Sequence, residues 1–385
     1  MEQSKTVTIL GAGSGGVVAA NTLRKLLPHS DRIIIIDKER DHLFAPSLLW
    51  VMIGDRKPER ISKPIKNLER KGIEVIQGDV GRIDPSQRTV NVNGKTIVSD
   101  VLIIALGADY APQNISGLSE AGLNAYSLQG ATAIRDSLNH FKQGRIVILT
   151  AAPVYKCPAA PYEMAMLIEY HCRRLGVRDR VQIDIFAAEP GPMGTAGPEM
   201  SKQVRQMVES KGIVYHPSHQ VTAVDPNGRT IKFSDGSATA FDLLIFVPPH
   251  QAPRVVKDAG LLSESGWISV DRHTLETKFK NVYAIGDVTS IPLKMGKSLP
   301  KAGVFAHGQA EVVAHNIARK WTGQGGPASF QGEGKCFIEI GDKRAGIGTG
   351  NFYAEPSPQV FVKRPSMKWH VGKVLFEKYW LWKWF

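Results

Sequence analysis

Thr6-Val7-Thr8-Ile9-Leu10-Gly11-Ala12-Gly13-Ser14-Gly15-Gly16 is the stretch that decides the fold. Its first five residues read as a buried parallel strand and the next six as a G-x-G-x-x-G turn. Val17 to Leu27 follows at helical spacing, and Arg32-Ile33-Ile34-Ile35-Ile36-Asp37 is a second strand ending in an acid, 21 residues beyond Gly16. Each glycine has its task. Gly11 permits the tight turn, Gly13 lets the backbone approach a pyrophosphate, and Gly16 lets the helix pack on the strand. The helix N-terminus faces the phosphates, and Asp37 is placed to accept from a ribose hydroxyl. The reading is a dinucleotide site on an α/β unit.

Working outward, Val101-Leu102-Ile103-Ile104-Ala105-Leu106-Gly107-Ala108 is a buried strand ending in small residues, and Asn281-Val282-Tyr283-Ala284-Ile285-Gly286-Asp287-Val288 is a late strand with a terminal carboxylate. Both resemble the later FAD segments of two-dinucleotide-domain flavoproteins, which implies FAD and a role for Asp287 toward its ribityl chain or pyrophosphate. The chain is also duplicated. Ile83-Asp84-Pro85-Ser86-Gln87-Arg88-Thr89-Val90 returns as Val224-Asp225-Pro226-Asn227-Gly228-Arg229-Thr230-Ile231, at an offset of 141, and each copy runs on into a buried strand. Two nucleotide-domain-like units are expected, the second inserted into the first.

The second unit has lost its phosphate turn. After Arg145-Ile146-Val147-Ile148-Leu149 the chain reads Thr150-Ala151-Ala152-Pro153-Val154-Tyr155-Lys156-Cys157-Pro158-Ala159-Ala160-Pro161-Tyr162-Glu163, with no glycine. Prolines remove donors that would cradle a pyrophosphate, and side chains block its approach. A nicotinamide cofactor has no evident seat there. Cys157 lies about where the third glycine would fall, beside a helix expected over Tyr162 to Leu175. A thiol at a helix N-terminus and next to Lys156 is expected to favour thiolate.

Composition narrows the class. The 385 residues, 43% hydrophobic, leave room for two or three cores and exclude disorder. Three cysteines exclude a disulfide scaffold. No apolar run reaches the ~18 residues of a spanning helix. An excess of 48 basic over 36 acidic residues, net +12, attracts an anionic membrane or a small anion. No zinc-finger or RNA-binding signature accompanies it, so nucleic acid is not an expected partner. Met1-Glu2-Gln3-Ser4-Lys5 does not read as a signal peptide, and the cytoplasmic side of a membrane is the expected location.

The assembled motifs are identifiable as a pattern. Gly11 to Gly16, Phe44-Ala45-Pro46-Ser47-Leu48-Leu49-Trp50-Val51, Lys156-Cys157-Pro158-Ala159-Ala160-Pro161-Tyr162-Glu163, Val247-Pro248-Pro249-His250, Leu299-Pro300-Lys301-Ala302-Gly303 and Gly334-Lys335-Cys336-Phe337 together resemble sulfide:quinone oxidoreductases over almost the whole chain. The resemblance implies non-covalent FAD held by Gly11, Gly13, Gly16, Asp37, Lys38, Pro46, Val80, Ala105, Gly107, Gly286, Asp287 and Lys301, the last near the pyrimidine end. It implies a redox pair of Cys157 and Cys336, joined directly or through extra sulfur when oxidised, with Glu163 managing protons or complementing the helix dipole. The resemblance further implies that HS⁻ opens the pair by thiol–disulfide exchange and that the freed thiolate, expected at Cys336, passes its electrons to the flavin. Phe337 and Phe376 are the implied quinone contacts.

Neighbouring families are separated by what they carry. Flavocytochrome c sulfide dehydrogenases have a flavin-linking cysteine in the segment matching Phe44–Trp50, absent here, and type II NADH:quinone oxidoreductases keep the second glycine turn. A flavin-bound sensor without turnover is the remaining alternative. One departure stands out: Leu123-Asn124-Ala125-Tyr126-Ser127-Leu128-Gln129-Gly130 has no thiol where many sulfide:quinone oxidoreductases carry a third functional cysteine, and Cys172 does not match it. Cys172, within a helix, reads as structural.

The C-terminus, Lys368 to Phe385, holds four of the seven tryptophans. Val371, Leu375, Tyr379 and Trp382 form a helical stripe, widened by Phe376, Trp380 and Trp384, with Lys373, Lys378 and Lys383 offering cations at headgroup level. The expectation is a monotopic, peripheral-membrane enzyme that meets sulfide and a membrane quinone; a homo-oligomer is compatible with it. His216 and His219 read as strand then turn, without a metal-ligand set, and His307 as a helix residue beside flavin. The expected order is a Rossmann-like FAD unit over 1–110, a second Rossmann-like unit over 111–250, the rest of the FAD unit over 251–320, and a membrane and quinone segment over 321–385.

Overall fold

The computed structural model describes residues 4–385. Five parallel strands form the first sheet, in the order Val282–Ala284, Val101–Ile104, Thr6–Leu10, Arg32–Asp37, Glu74–Gln77. Its inner strands are near-continuous Val, Ile and Leu because helices and loops cover both faces. The helix after the glycine turn spans Ser14–Leu26, starting three residues earlier than its apolar spacing implied, because Ser14, Gly15 and Gly16 already belong to its first turn.

A second five-stranded parallel sheet, Gly122–Asn124, Leu243–Val247, Gly144–Thr150, Val181–Ala187, Val214–His216, repeats the order of the last four strands, but its first edge strand comes first in the chain where Val282–Ala284 comes last. The duplication is visible in detail. The three-stranded sheets Val80–Asp84/Thr89–Val92/Lys95–Val98 and Val221–Asp225/Thr230–Phe233/Ala238–Ala240 each carry a register shift at their first strand, between Val80 and Arg82 and between Val221 and Ala223. Arg88 and Arg229 both adopt positive φ, and Asp84 and Asp225 each accept from the backbone N–H groups two and three residues on.

The last 53 residues add an antiparallel sheet, Glu333–Glu339/Ala345–Asn351/Gln359–Ser366, and the helix Met367–Lys383. No helix among the described residues is long and apolar enough to cross a membrane. The terminal helix has two faces, and they divide the expected stripe. Val371, Leu375, Phe376, Tyr379 and Trp382 are exposed, Trp382 by 75%. Trp380 and Trp384 are buried instead, with Trp380 against Phe44 and both tryptophans against His307. His307 thus packs on this helix. Lys373 also corrects the sequence reading: it is buried, not at headgroup level, whereas Lys378 is exposed and Lys383 half-buried.

Buried charge holds the helix in place. Glu377 accepts from the Ser47 hydroxyl and pairs with Arg56 at 2.9 Å, while Lys71 Nζ donates to the Lys383 carbonyl at 2.9 Å, satisfying an orphan of the last turn. Arg56 and Lys373 both lie over the Trp50 ring, at 4.6 and 5.0 Å.

Candidate active site

The dinucleotide turn sits at the carboxyl ends of the first sheet, where α/β ligands bind. Gly11 has φ +95°, and a Cβ there would lie 2.4 Å from the Ala105 carbonyl oxygen. A Cβ on Gly16 would lie 1.8 Å from the Gly11 oxygen, whereas one on Gly13 would meet nothing within 4 Å. Gly13 therefore borders open space, and Gly16 is required for closure of the turn. Asp37 accepts from Ala12 N at 2.6 Å and Glu39 N at 2.8 Å, so its carboxylate shapes the turn and retains lone pairs toward a ligand. Gly107 and Gly286 have positive φ, and Gly286 N donates to Gln309 at 2.7 Å. Beside them Asp287 Oδ1 is buried with no hydrogen-bond partner among the described residues, and burial raises its pKa against the pull of Lys156 and Lys301. Lys38 and Pro46 lie exposed on the neighbouring turns, and Val80 is buried at the start of its strand. An open cradle plus an unpaired buried carboxylate fits a dinucleotide. A Gly16→Ala enzyme is expected to purify with little flavin, read as the ratio of absorbance near 450 nm to that at 280 nm.

Lys301 Nζ donates to the carbonyls of Asp287 at 2.7 Å and Thr289 at 2.9 Å and lies 3.4 Å above the Trp267 ring; burial lowers its pKa to about 8. Its own carbonyl accepts from Cys157 N at 2.7 Å, tying the cysteine loop to the FAD unit.

Cys157 occupies the left-handed region, φ +51°, just ahead of the helix Ala160–Arg174, which begins two residues earlier than the sequence implied. Its carbonyl accepts from Ala160 N at 2.9 Å and from the Tyr126 hydroxyl at 3.2 Å, so the segment without the third cysteine supplies a phenol that fixes the loop. Cys336 comes from the strand Glu333–Glu339. Although 179 residues apart in sequence, the two cysteines are joined through Glu163: it lies six residues past Cys157, accepts from Glu339 N on the Cys336 strand and pairs with Lys373, and the charges of that pair act on both thiols. Both are thiols here. Against the expectation of a thiolate, desolvation pushes Cys157 well above the ordinary thiol range and Cys336 to about 12, although both side chains are only half-buried. Desolvation outweighs the nearby cation and the helix N-terminus, and Lys156 lies over the Tyr110 ring at 4.7 Å. Alkylation of reduced Cys336 by iodoacetamide is therefore expected to climb about tenfold per pH unit from 7 to 9.5 without a plateau, followed by peptide mass spectrometry. Cys172 is buried in its helix, with a pKa raised to about 11.

Glu163 is the centre of a network that the sequence reading missed. It is buried and accepts from Glu339 N at 2.8 Å and Lys373 Nζ at 3.1 Å; Glu339 in turn meets His370 Nδ1 at 3.0 Å. Burial raises the Glu163 pKa and Lys373 opposes the shift. Phe337 and Phe376 lie 6.4 Å apart between centroids, with Phe376 partly exposed. His216 is paired with Asp184 at 2.9 Å and stacked on Phe186.

The chain matches the model of the pyridine nucleotide-disulphide oxidoreductase family over residues 5–310. It belongs to that family. FAD is the cofactor of these flavoproteins, and the residues above fit it. Within the pyridine nucleotide-disulphide oxidoreductases, the chain is 29% identical to a sulfide-quinone reductase of Aquifex aeolicus over 99% of its length and 91% of the relative's. It is 23% identical to the mitochondrial sulfide:quinone oxidoreductase of Mus musculus, over 91% of this chain and 79% of that one. The solved structure of the Aquifex aeolicus sulfide:quinone oxidoreductase superposes with a TM-score of 0.90 at 27% identity, covering 99% of this chain and 91% of that one. A Bacillus anthracis CoADR-RHD structure, 19% identical with a TM-score of 0.70 over 90% of this chain and 62% of that one, shares the fold.

Proposed function

We propose that this protein oxidises sulfide at the Cys157/Cys336 pair and delivers the electrons, through FAD, to a membrane quinone. The observation that carries the reading is that Cys157, in the loop that replaces a nucleotide turn, and Cys336, on the strand Glu333–Glu339, flank one buried Glu163–Lys373 ion pair. The similarity to sulfide-quinone reductases along the whole chain supports it.

In the oxidised pair HS⁻ attacks the Cys157 sulfur; the S–S bond breaks, leaving a persulfide on Cys157 and a thiolate on Cys336. That thiolate forms in a site that disfavours it, so its stabilisation falls to Lys373, the buried cation that acts on both sulfurs. Glu163, held against the same lysine, is the group that takes or returns a proton as the thiols change charge. Bound FAD supplies a two-electron acceptor that can be reoxidised by quinone. A second HS⁻ attacks the outer sulfur and carries it off as HSS⁻, leaving a Cys157 thiol, and loss of two electrons from the pair re-forms the S–S bond; the sum is 2 HS⁻ + quinone + H⁺ giving HSS⁻ and quinol.

Phe337 and Phe376 border the proposed quinone site, and the exposed Val371, Leu375, Tyr379 and Trp382 face the bilayer interface. Replacing Leu375 and Trp382 together by Glu removes two interfacial anchors without touching the buried face of the helix. Liposome affinity of the holoenzyme is expected to fall about a hundredfold in a flotation assay. Anaerobic stopped-flow tests the function itself. Sulfide is expected to bleach the flavin and a soluble quinone to restore it; bleaching by NADH but not by sulfide would overturn the proposal.

A further inference from the structure

In an intact nucleotide-binding unit the acid at the end of the second strand faces a ribose, and Asp37 ends that strand in the first unit. The second unit has its acid in the corresponding place: Glu189 follows the strand Val181–Ala187, which pairs with Gly144–Thr150 as Arg32–Asp37 pairs with Thr6–Leu10. This carboxylate is turned to other work. It accepts from the Thr150 hydroxyl at 2.8 Å, from the Tyr162 hydroxyl at 2.7 Å and from the Tyr155 hydroxyl. Thr150 also accepts from Ala188 N at 3.1 Å, closing the ring of contacts.

The three donors bracket Cys157. Thr150 ends the strand before the loop, Tyr155 stands two residues ahead of the cysteine, and Tyr162 lies in the first turn of the helix behind it. Burial and the Glu189 charge hold both tyrosines well above their usual pKa, so each keeps the proton it donates. Cys157 needs an outside restraint, because a non-glycine residue at φ +51° sits in a sparsely populated region. On its other side the loop is fixed by the Lys301 carbonyl and the Tyr126 hydroxyl.

We propose that Glu189 is a positioning residue for Cys157: the acid of the vanished nucleotide seat serves as a clamp, held by the Thr150, Tyr155 and Tyr162 hydroxyls, that fixes the cysteine loop toward Cys336. The inference rests on the sulfide reading for its kinetic consequence but not for its geometry. Glu189 touches no reacting atom, so its effect is confined to the step that uses Cys157.

The test uses the FAD-loaded enzyme with Glu189→Gln and, separately, Tyr155→Phe. Glutamine offers one acceptor oxygen and an amide that faces hydroxyl donors with donors of its own, so the clamp loosens without an added cavity. Flavin bleaching at saturating sulfide is expected to slow about tenfold to a hundredfold in Glu189→Gln, the scale of a misplaced reacting group, with Tyr155→Phe intermediate. Reoxidation of the chemically reduced flavin by quinone is expected to keep its wild-type rate. A merely structural role would depress both half-reactions together. A second readout needs no sulfide: the fraction of Cys157 and Cys336 joined when a diazenedicarboxamide oxidant removes two electrons and two protons from the thiols, measured by peptide mass spectrometry. That fraction is expected to fall in Glu189→Gln. Wild-type bleaching and full cross-linking in both variants would overturn the clamp. Failure of sulfide to bleach the wild-type flavin would overturn the proposed function and leave the cross-linking result to decide the clamp. If Glu189→Gln does not fold, Tyr155→Phe carries the test through the same two readouts.

Discussion

Replacing Lys373 by methionine is expected to destabilise the protein by about 3–5 kcal/mol near neutral pH, because it strands the Glu163 carboxylate in a site that burial already disfavours. The sign of the pH dependence follows. A carboxyl whose folded pKa is raised costs stability above its unfolded pKa, and the cost is relieved as pH falls through the folded value. The Lys373→Met penalty is therefore expected to be largest at pH 8 and to shrink toward pH 5, in urea denaturation curves of the holoenzyme. Adding Glu163→Gln is expected to return most of the stability, since an uncharged pair needs no counterion. It is not expected to return turnover, because both thiols lose the cation that lowers their pKa. Recovered turnover in the double variant would remove Lys373 and Glu163 from the mechanism.

Serine at Cys157 or at Cys336 is expected to slow flavin bleaching by sulfide by on the order of 10⁴ or more, as loss of a covalent nucleophile does. Without a sulfur–sulfur bond, HS⁻ has nothing to exchange with. FAD content and reduction by dithionite are expected to stay at wild-type levels, since neither cysteine shapes the glycine turn around Gly11 to Gly16. The two variants differ in one respect. Cys157→Ser retains a strained loop position held by Lys301 and Tyr126, while Cys336→Ser changes a strand residue whose neighbours are paired along Gly334 to Glu339. Folding stability measured by thermal denaturation is accordingly expected to shift by less than about 1 kcal/mol in either.

The glycine turn, its strands and Asp37 were legible because local spacing alone fixes them: a Cβ at Gly16 would collide with the backbone five residues earlier. The duplication was legible as a repeated Asp-Pro-x-x-Arg-Thr, and the structure extends it to a shared register shift and a shared left-handed arginine. The terminal helix was half legible. Its exposed stripe was read correctly at Val371, Leu375, Tyr379 and Trp382, yet the opposite stripe, Lys373, Glu377, Trp380 and Trp384, follows equally good helical spacing and is the buried one. Hydropathy sends charged residues to water, so a face built around Lys373 and Glu377 could not be assigned to the interior before their partners Glu163, Ser47 and Arg56 were known.

The sequence by itself determined the α/β units, the dinucleotide turn, the loss of its counterpart and the two cysteines worth watching, because each rests on residues a few positions apart. Only the tertiary structure decided which way the pKa of those cysteines moves. A neighbouring lysine and a helix start predict a thiolate, but withdrawal from water and the carboxylate of Glu163 outweigh both, and burial is a property of the whole packed chain. For the same reason the partner of Glu163 lay hidden: it arrives from 210 residues away, on a helix whose other face points outward.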